Sequence, residues 1–247
     1  MLAINRFYQP SLQVVEPPPT ALAVAAEYVQ KPAGIQNLVL RPAIRALKWA
    51  DFMGGLTELG KECKAILGNF SLALFWLDFP EDLRKVAKSV SQLREKIFAG
   101  SFWEVTVCSK NVFVRSAFAS DLVAESVLIA NSKNIVALTA SQVAVLSTFG
   151  FMGSTALTVS ALSGLKTQFD VHIHSEIGSP KFKLSLIKMS AKACLVAIGV
   201  FGMVASVAGS IIPTIVALIV STLYLILSLA SYFYEKLYVE KEVESKA

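Results

Sequence analysis

The longest uncharged stretch of the chain covers residues 193–234 and is apolar almost throughout. A membrane-spanning helix uses about 20 consecutive apolar residues, so this stretch is too long for one span and fits two. Gly209, Ser210 and Pro213 lie near its middle. Glycine tolerates positive φ, and proline lacks an amide hydrogen and disfavours helix in the preceding residue. The pattern predicts a transmembrane hairpin of two helices with its turn at these three residues.

Residues typical of a membrane interface border both ends of this predicted hairpin. Lysine excess marks the cytoplasmic side of a membrane, and aromatic residues concentrate at the level of the lipid headgroups. We therefore expect both ends of the hairpin on one side of the membrane. The predicted interface anchors are Lys188, Lys192, Tyr232, Phe233 and Tyr234.

Small residues recur inside the hairpin at intervals of one helical turn. Gly202 and Ser206 are separated by four residues, as are Ala205 and Gly209. Small side chains at this spacing let helix backbones approach closely in membranes. The four residues are predicted helix-packing positions, within the hairpin or between copies of the chain in a homo-oligomer.

A second uncharged stretch, residues 134–165, is interrupted by many serine and threonine residues. It allows two interpretations. Its length favours one tilted span, because each half of a hairpin broken near 150–153 would be short. The lysines on both of its flanks favour the shallow hairpin, since they prefer the same side of the membrane. The sequence leaves both interpretations open.

The remaining segments complete the predicted organisation. Residues 1–40 form an extended arm and a short helix at 21–30, and residues 41–133 form a helical region with a break at Gly54 and Gly55. Residues 166–192 form a basic loop, in which 167–177 alternate between apolar and polar residues like a strand. Residues 235–247 are a charged tail.

The clearest helix outside the uncharged stretches is predicted at 81–99, between Pro80 and Gly100. Its apolar positions repeat every three or four residues, which forms a narrow seam of the kind found in coiled coils. The seam packs either on neighbouring helices of the same chain or on a helix of a partner protein. Its residues are Leu83, Val86, Val90, Leu93 and Ile97.

Composition supports a mainly α integral membrane protein with an N-terminal helical region and a C-terminal two-helix transmembrane hairpin. Hydrophobic residues make up 54% of the 247-residue chain and charged residues 17%. This much apolar surface exceeds what the small remainder of the chain can cover. The net charge is +5, and four lysines stand just before the hairpin, so the expected counter-charge is anionic lipid and no nucleic-acid partner is expected.

No catalytic motif accompanies these segments. The sequence has no nucleophile elbow, phosphate-binding loop or zinc-protease motif. His172 and His174 lack a third ligand at the usual spacing, and the three cysteines are isolated. We expect no enzyme activity, no metal and no cofactor.

The apolar hairpin at 193–234, with its turn at 209–213, resembles the inclusion membrane proteins of Chlamydiae. That resemblance implies a secreted effector in the vacuole membrane around the bacteria, with termini in the host cytosol that recruit host proteins. Recruitment by the helix at 81–99 is therefore the expected function. One alternative is a membrane-shaping protein similar in layout to reticulons or to the proteins that elongate peroxisomes. A small channel or transporter, lined by the serines and threonines of 134–165, is another.

Overall fold

The computed structural model describes residues 20–30, 32–208 and 214–240. Within these residues every regular element is helical and none is a strand, so the predicted mainly α fold is confirmed. The elements are α1 (Ala21–Val29), α2 (Pro32–Ile35) continued by a π-helical turn (Gln36–Leu40), α3 (Arg41–Phe52), α4 (Glu58–Ala99), α5 (Phe102–Ser132), α6 (Ala140–Ile173), α7 (Pro180–Ala208), and α8 (Thr214–Tyr234), which a second π-helical turn (Glu235–Val239) extends.

Local sequence signals set several of these helix ends. Ser101 accepts a hydrogen bond from the Glu104 amide while the Glu104 carboxylate accepts one from the Ser101 amide, and Thr139 forms the same reciprocal arrangement with Gln142. These capping boxes satisfy amides that have no partner within the helix. Gly54, at φ 73°, follows the end of α3. The predicted break at this position is confirmed.

Helices α4 to α8 pack in chain order, each against the next, and the α6–α7 interface is the most extensive. Small residues line the contacts of α5 and α6, where Ala117, Ala124, Gly153, Ala156 and Ala161 are buried. Side chains of this size let neighbouring helix axes come close together. Helix α3 lies against both α4 and α8.

The prediction that a helix begins at Pro80 is wrong, because α4 continues through Pro80 from Glu58 to Ala99. Proline removes one hydrogen bond from a helix interior and favours a kink. Contacts with α5 hold α4 on both sides of it: Trp76 Nε1 donates to Ser126 Oγ at 2.9 Å, and Arg115 Nη1 donates to the Lys85 carbonyl at 2.8 Å.

The predicted basic loop at 166–192 is also wrong. Helix α6 continues to Ile173 and α7 begins at Pro180, which leaves a short connection containing Gly178 at φ 84°. An isolated strand at 167–177 would need a neighbouring strand, and the described residues contain none. Helix pairing instead stacks the His172 ring on Phe182, with centroids 4.2 Å apart.

Residues 140–165 belong to one continuous helix, so the shallow-hairpin interpretation of 134–165 is wrong and the single-helix interpretation holds. Gly150 and Gly153 lie inside α6, next to Asp121 of α5. These glycines allow a close approach between helices and do not form a turn.

Helices α7 and α8 pack on each other and flank 209–213, as the hairpin prediction requires. The predicted turn residues Gly209, Ser210 and Pro213 lie outside the described residues. The first helix is longer than its uncharged part, because it starts at Pro180 and carries four lysines before residue 193.

Candidate functional site

Three helical segments are long and apolar enough to cross a membrane: Ala140–Ile173, Pro180–Ser206 and Ile215–Val239. They contain 34, 27 and 25 residues, against the roughly 20 that a span requires. On α8, Ile219, Leu223 and Ile226 lie along one face and remain 46–58% exposed. An apolar face of this kind is compatible with contact to lipid acyl chains.

The two predicted lysine anchors contact neighbouring helices. Lys188 Nζ lies 2.9 Å from both carboxylate oxygens of Glu235, which joins the first part of α7 to the end of α8. The Lys192 side chain lies against Gly164 of α6, where a Cβ built on the glycine would come within 2.9 Å of Lys192 Cε. Both lysines therefore mark the end of the bundle at which α8 ends.

The predicted aromatic anchors stand at the same end. Tyr232 stacks on Tyr28 of α1 with ring centroids 4.0 Å apart, and its buried hydroxyl has no hydrogen-bond partner among the described residues. Phe233 packs edge-on against Tyr232, and Tyr234 packs against Tyr238. Helix α1 thus covers one of the three aromatic side chains.

The predicted packing residues separate into different environments. Gly202 faces α6, because a Cβ built on Gly202 would lie 3.0 Å from Ser154 Cβ. The predicted contact was instead one between the two helices of the hairpin. Ala205 and Ser206 are exposed, and Gly209 lies outside the described residues. Gly199, which the prediction missed, lies closer still to α6: its built Cβ would be 2.9 Å from the Ser154 carbonyl oxygen. The three-residue spacing of Gly199 and Gly202 in the sequence could have indicated Gly199 as a packing position.

The predicted seam on α4 divides into two rows. Val86 and Leu93 are half-buried, whereas Leu83, Val90 and Ile97 are 47%, 48% and 58% exposed. The exposed three recur every seven residues and so form a nearly straight line along the helix, which we call the α4 stripe. Neighbouring helices of the chain leave this line of apolar side chains largely uncovered.

Cations without ion-pair partners lie beside the α4 stripe. Lys85 pairs with Glu81 at 2.9 Å and Asp82 at 3.2 Å, and Lys96 pairs with Glu104 at 2.7 Å. Three other basic residues of this segment form no ion pair in the part of the chain that the structure describes: Arg84, Lys88 and Arg94. Glu95 is likewise exposed and forms no ion pair among the described residues, so these four groups together give the exposed side of α4 a net charge of +2.

Helix α5 brings charged groups against α6. Asp121 lies over Gly150 and Gly153, and Lys110 Nζ donates to Ser163 Oγ at 2.8 Å. Burial, together with the nearby Glu125 carboxylate, raises the pKa of Asp121 to about 6. A cavity of about 350 Å³ beside Asp121 is also lined by four charged residues from α4 and α5: Asp82, Lys85, Arg115 and Glu125.

A similar contact joins α3 to α8. Trp49 Nε1 donates to Thr222 Oγ1 at 3.2 Å, and Arg45 and Lys48 border a groove with Leu218 of α8. Burial lowers the pKa of both basic groups, with a further contribution from neighbouring cations. Charged N-terminal helices therefore cover parts of two apolar helices, α6 and α8.

No group of three potential metal ligands occurs among the described residues. His172 Nδ1 lies 2.9 Å from Ser185 Oγ, and His174 Nδ1 lies 2.7 Å from the Asp170 carbonyl oxygen. Ser185 is almost completely buried, which keeps its hydroxyl from acting as a nucleophile on an outside substrate. Both histidines have structural contacts.

No protein-family model, curated protein or solved structure matches the chain.

Proposed function

We propose that the chain is a non-enzymatic membrane-anchored protein in which α6, α7 and α8 provide the anchor and α4 recruits a partner protein. The observation that supports this most directly is the α4 stripe, in which Leu83, Val90 and Ile97 stand exposed at seven-residue intervals. An apolar line at this spacing matches the contact surface of a second helix. Full burial of one such side chain contributes about 1.5–3 kcal/mol, so completing the burial of three half-exposed ones contributes about 2–4 kcal/mol.

The charges around the α4 stripe favour a partner helix with acidic flanks. Arg84, Lys88 and Arg94 are exposed and form no ion pair with any described residue, and with the exposed Glu95 they carry a net charge of +2. Acidic side chains bordering the partner's apolar line would meet these cations, and charge complementarity of this kind chiefly provides specificity and faster association. A basic partner helix would be repelled.

The cellular setting of this recruitment is proposed from the hairpin alone. The apolar helices α7 and α8 on either side of 209–213 are compatible with the layout of chlamydial inclusion membrane proteins. On that resemblance, the anchor lies in the vacuole membrane of an infected cell and the partner is a host protein in the cytosol.

A designed peptide tests the recruitment without a known partner. The full chain, reconstituted in lipid nanodiscs, is titrated against two fluorescent heptad peptides with the same apolar line, one flanked by glutamates and the other by lysines. We expect the acidic peptide to bind at least ten-fold more tightly. Equal binding of both peptides, or binding of neither, would overturn the proposal.

Matched variants assign the binding to the α4 stripe. Val90→Asp together with Ile97→Asp should abolish binding of the acidic peptide. Leu59→Asp is the control, because Leu59 is also on α4 and is 69% exposed but lies outside the stripe. Both proteins should remain in the membrane fraction. If the control variant loses as much affinity as the stripe variant, the stripe is not the binding surface.

A further inference from the structure

Helix α5 lies along the uncharged part of α6. Lys110 reaches Ser163 near one end of this contact, and Asp121 lies over Gly150 and Gly153 farther along α6. Between them, Arg115 donates to the backbone of Lys85, which places a charged turn of α4 beside the same part of α5. Charged residues of two helices therefore accompany the stretch of α6 that contains no charge of its own.

This arrangement makes insertion of α6 costly while α5 remains attached. A charged side chain in the hydrocarbon core is costly unless it is paired inside a bundle or reaches water. Helix α5 would carry Lys110, Arg115, Asp121 and Glu125 beside 140–165. Asp121 forms neither an ion pair nor a hydrogen bond with the residues that the structure describes. Separation of the two helices removes this cost when α6 crosses a bilayer.

We propose that the face of α6 covered by α5 is a lipid-binding surface, which the α4–α5 pair masks in this structure and which lipid acyl chains occupy when α6 inserts. The inference rests on the membrane anchor of the proposed function. It adds that insertion of α6 into the bilayer and exposure of the α4–α5 pair to water occur together as one event. Release from α6 would place the α4 stripe in the aqueous phase, where a soluble partner can reach it.

The chemistry of α6 fits lipid as the occupant. Residues 134–165 contain no acidic or basic side chain and are long enough to span the hydrocarbon core. Two hydroxyl groups in the middle of α6 are satisfied inside the helix: Thr155 Oγ1 donates to the Phe151 carbonyl at 2.9 Å, and Thr158 Oγ1 donates to the Ser154 carbonyl at 3.0 Å. Helix-internal bonds of this kind make serine and threonine tolerable in lipid.

The α6–α7 interface is the contact that α6 keeps when α5 leaves it. Gly199 and Gly202 of α7 approach Ser154 and Thr158 of α6 closely. Lys192 of α7 contacts the uncharged stretch of α6 only near its end, at Gly164, where the amine is close to the end of the apolar segment. Close contact through small residues is a stable form of helix association in membranes. The contacts on the two sides of α6 therefore differ in kind: the one with α7 suits lipid, and the one with α5 does not.

The charged groups around Asp121 weaken the contact through which α5 covers α6. Lys85 of α4 and Arg115 of α5 line the adjacent cavity together with Asp82 and Glu125, and Asp121 lies against Gly150 and Gly153 of α6. Partial burial and the nearby Glu125 carboxylate favour the neutral form of Asp121, and ionisation near neutral pH makes the α5–α6 contact easier to open.

Two engineered disulfides test the inference on the full chain, after Cys63, Cys108 and Cys194 are replaced by serine. Asp121→Cys with Gly153→Cys locks α5 on α6. Ser154→Cys with Gly202→Cys locks α6 on α7 and is the matched control. The geometry of the two pairs is similar, because a Cβ built at Gly153 lies 2.9 Å from Asp121 Cβ, and one built at Gly202 lies 3.0 Å from Ser154 Cβ.

The readout reports on α6 itself. Phe151→Trp, with the three native tryptophans changed to phenylalanine, provides a fluorophore on α6 that lipids brominated in mid-chain quench on insertion. The oxidised α5–α6 lock should lose this quenching, and reduction should restore it. The oxidised α6–α7 lock should be quenched as strongly as the unlocked chain.

If the oxidised α5–α6 lock is quenched as strongly as its reduced form, the inference is overturned, because α5 would then accompany α6 into the bilayer. Failure of the unlocked chain to resist alkaline extraction would instead overturn the membrane anchor of the proposed function. Extraction and quenching therefore distinguish the two failures.

Discussion

Lys188 of α7 donates to both carboxylate oxygens of Glu235, at 2.9 Å each, across the end of the α7–α8 pair opposite residues 209–213. The contact joins residues that are far apart in sequence and sets which turn of α7 lies beside the end of α8. Both side chains are partly exposed, so the pair contributes only about 0.5–1 kcal/mol. Its main consequence is geometric, because it puts the two ends of the predicted hairpin side by side.

This geometry predicts that a reagent on one side of a membrane can label both ends of the hairpin. In a cysteine-free chain, Lys192→Cys and Lys236→Cys should react equally with a membrane-impermeant maleimide. Ser206→Cys, close to the predicted turn, should show the opposite accessibility. If Lys192→Cys and Lys236→Cys label from opposite sides, α7 and α8 do not form a hairpin in the membrane.

Asp121→Asn should stabilise the α5–α6 contact at neutral pH. The pKa of Asp121 is raised from 3.8 to about 6, so the folded state keeps its full stability below about pH 4 and loses part of it as the pH rises through 6. The full shift corresponds to about 3 kcal/mol, which partial exposure of Asp121 reduces to about 1–2 kcal/mol. The measurement is thermal unfolding of the detergent-solubilised chain at pH 4 and pH 7.5.

For this variant, the increase in unfolding temperature should be present at pH 7.5 and nearly absent at pH 4. Glu125→Gln serves as a comparison, because Glu125 contributes the smaller part of the pKa shift. An Asp121→Asn chain that is equally stabilised at both pH values would show that Asp121 does not titrate between α5 and α6.

Gly199→Leu should disrupt the α6–α7 interface. A Cβ at residue 199 already comes within 3.0 Å of the Thr158 backbone nitrogen, and backbone cannot move aside as a flexible side chain can. Overpacking of this kind costs about 1–3 kcal/mol. Ala205→Leu on the same helix is the control, since Ala205 is exposed and should tolerate the larger side chain. Equal unfolding temperatures for the two variants would contradict the described packing.

Pro80→Ala should stabilise α4. The residue lies inside a continuous helix, where proline removes a hydrogen bond and costs about 3 kcal/mol relative to alanine. Helicity measured by circular dichroism should stay the same or increase, and the unfolding temperature should increase. Pro42→Ala is the comparison, because Pro42 stands in the first turn of α3, where proline is tolerated. A loss of stability at Pro80→Ala would contradict this expectation.

Several features of the fold follow from short-range sequence signals. The uncharged stretches 134–165 and 193–234 correspond to the three helices that can cross a membrane, because helix length and hydropathy are local properties. The break at Gly54 and the helix at 21–30 were predictable for the same reason, since glycine conformation and apolar spacing act within one or two turns.

Other predictions failed where two local signals competed. Pro80 resembles a helix start, and the alternation at 167–177 resembles a strand, yet Pro80 lies within α4 and residues 167–173 lie within α6. In each case the neighbouring helix decided the outcome: α5 holds α4 on both sides of Pro80, and α7 pairs with the end of α6. Contacts across helices can outweigh a local preference of a few kcal/mol.

Which surfaces meet was decided by the tertiary structure alone. Small-residue spacing identified Gly202 as a packing position, but only the structure assigns it to Ser154 of α6. The seam at 81–99 was visible in the sequence, but its division into a covered row and the exposed α4 stripe depends on where α5 lies. Periodicity shows which side of a helix is apolar and does not show what covers it, because the covering helix is distant in sequence and is selected by packing over the whole bundle.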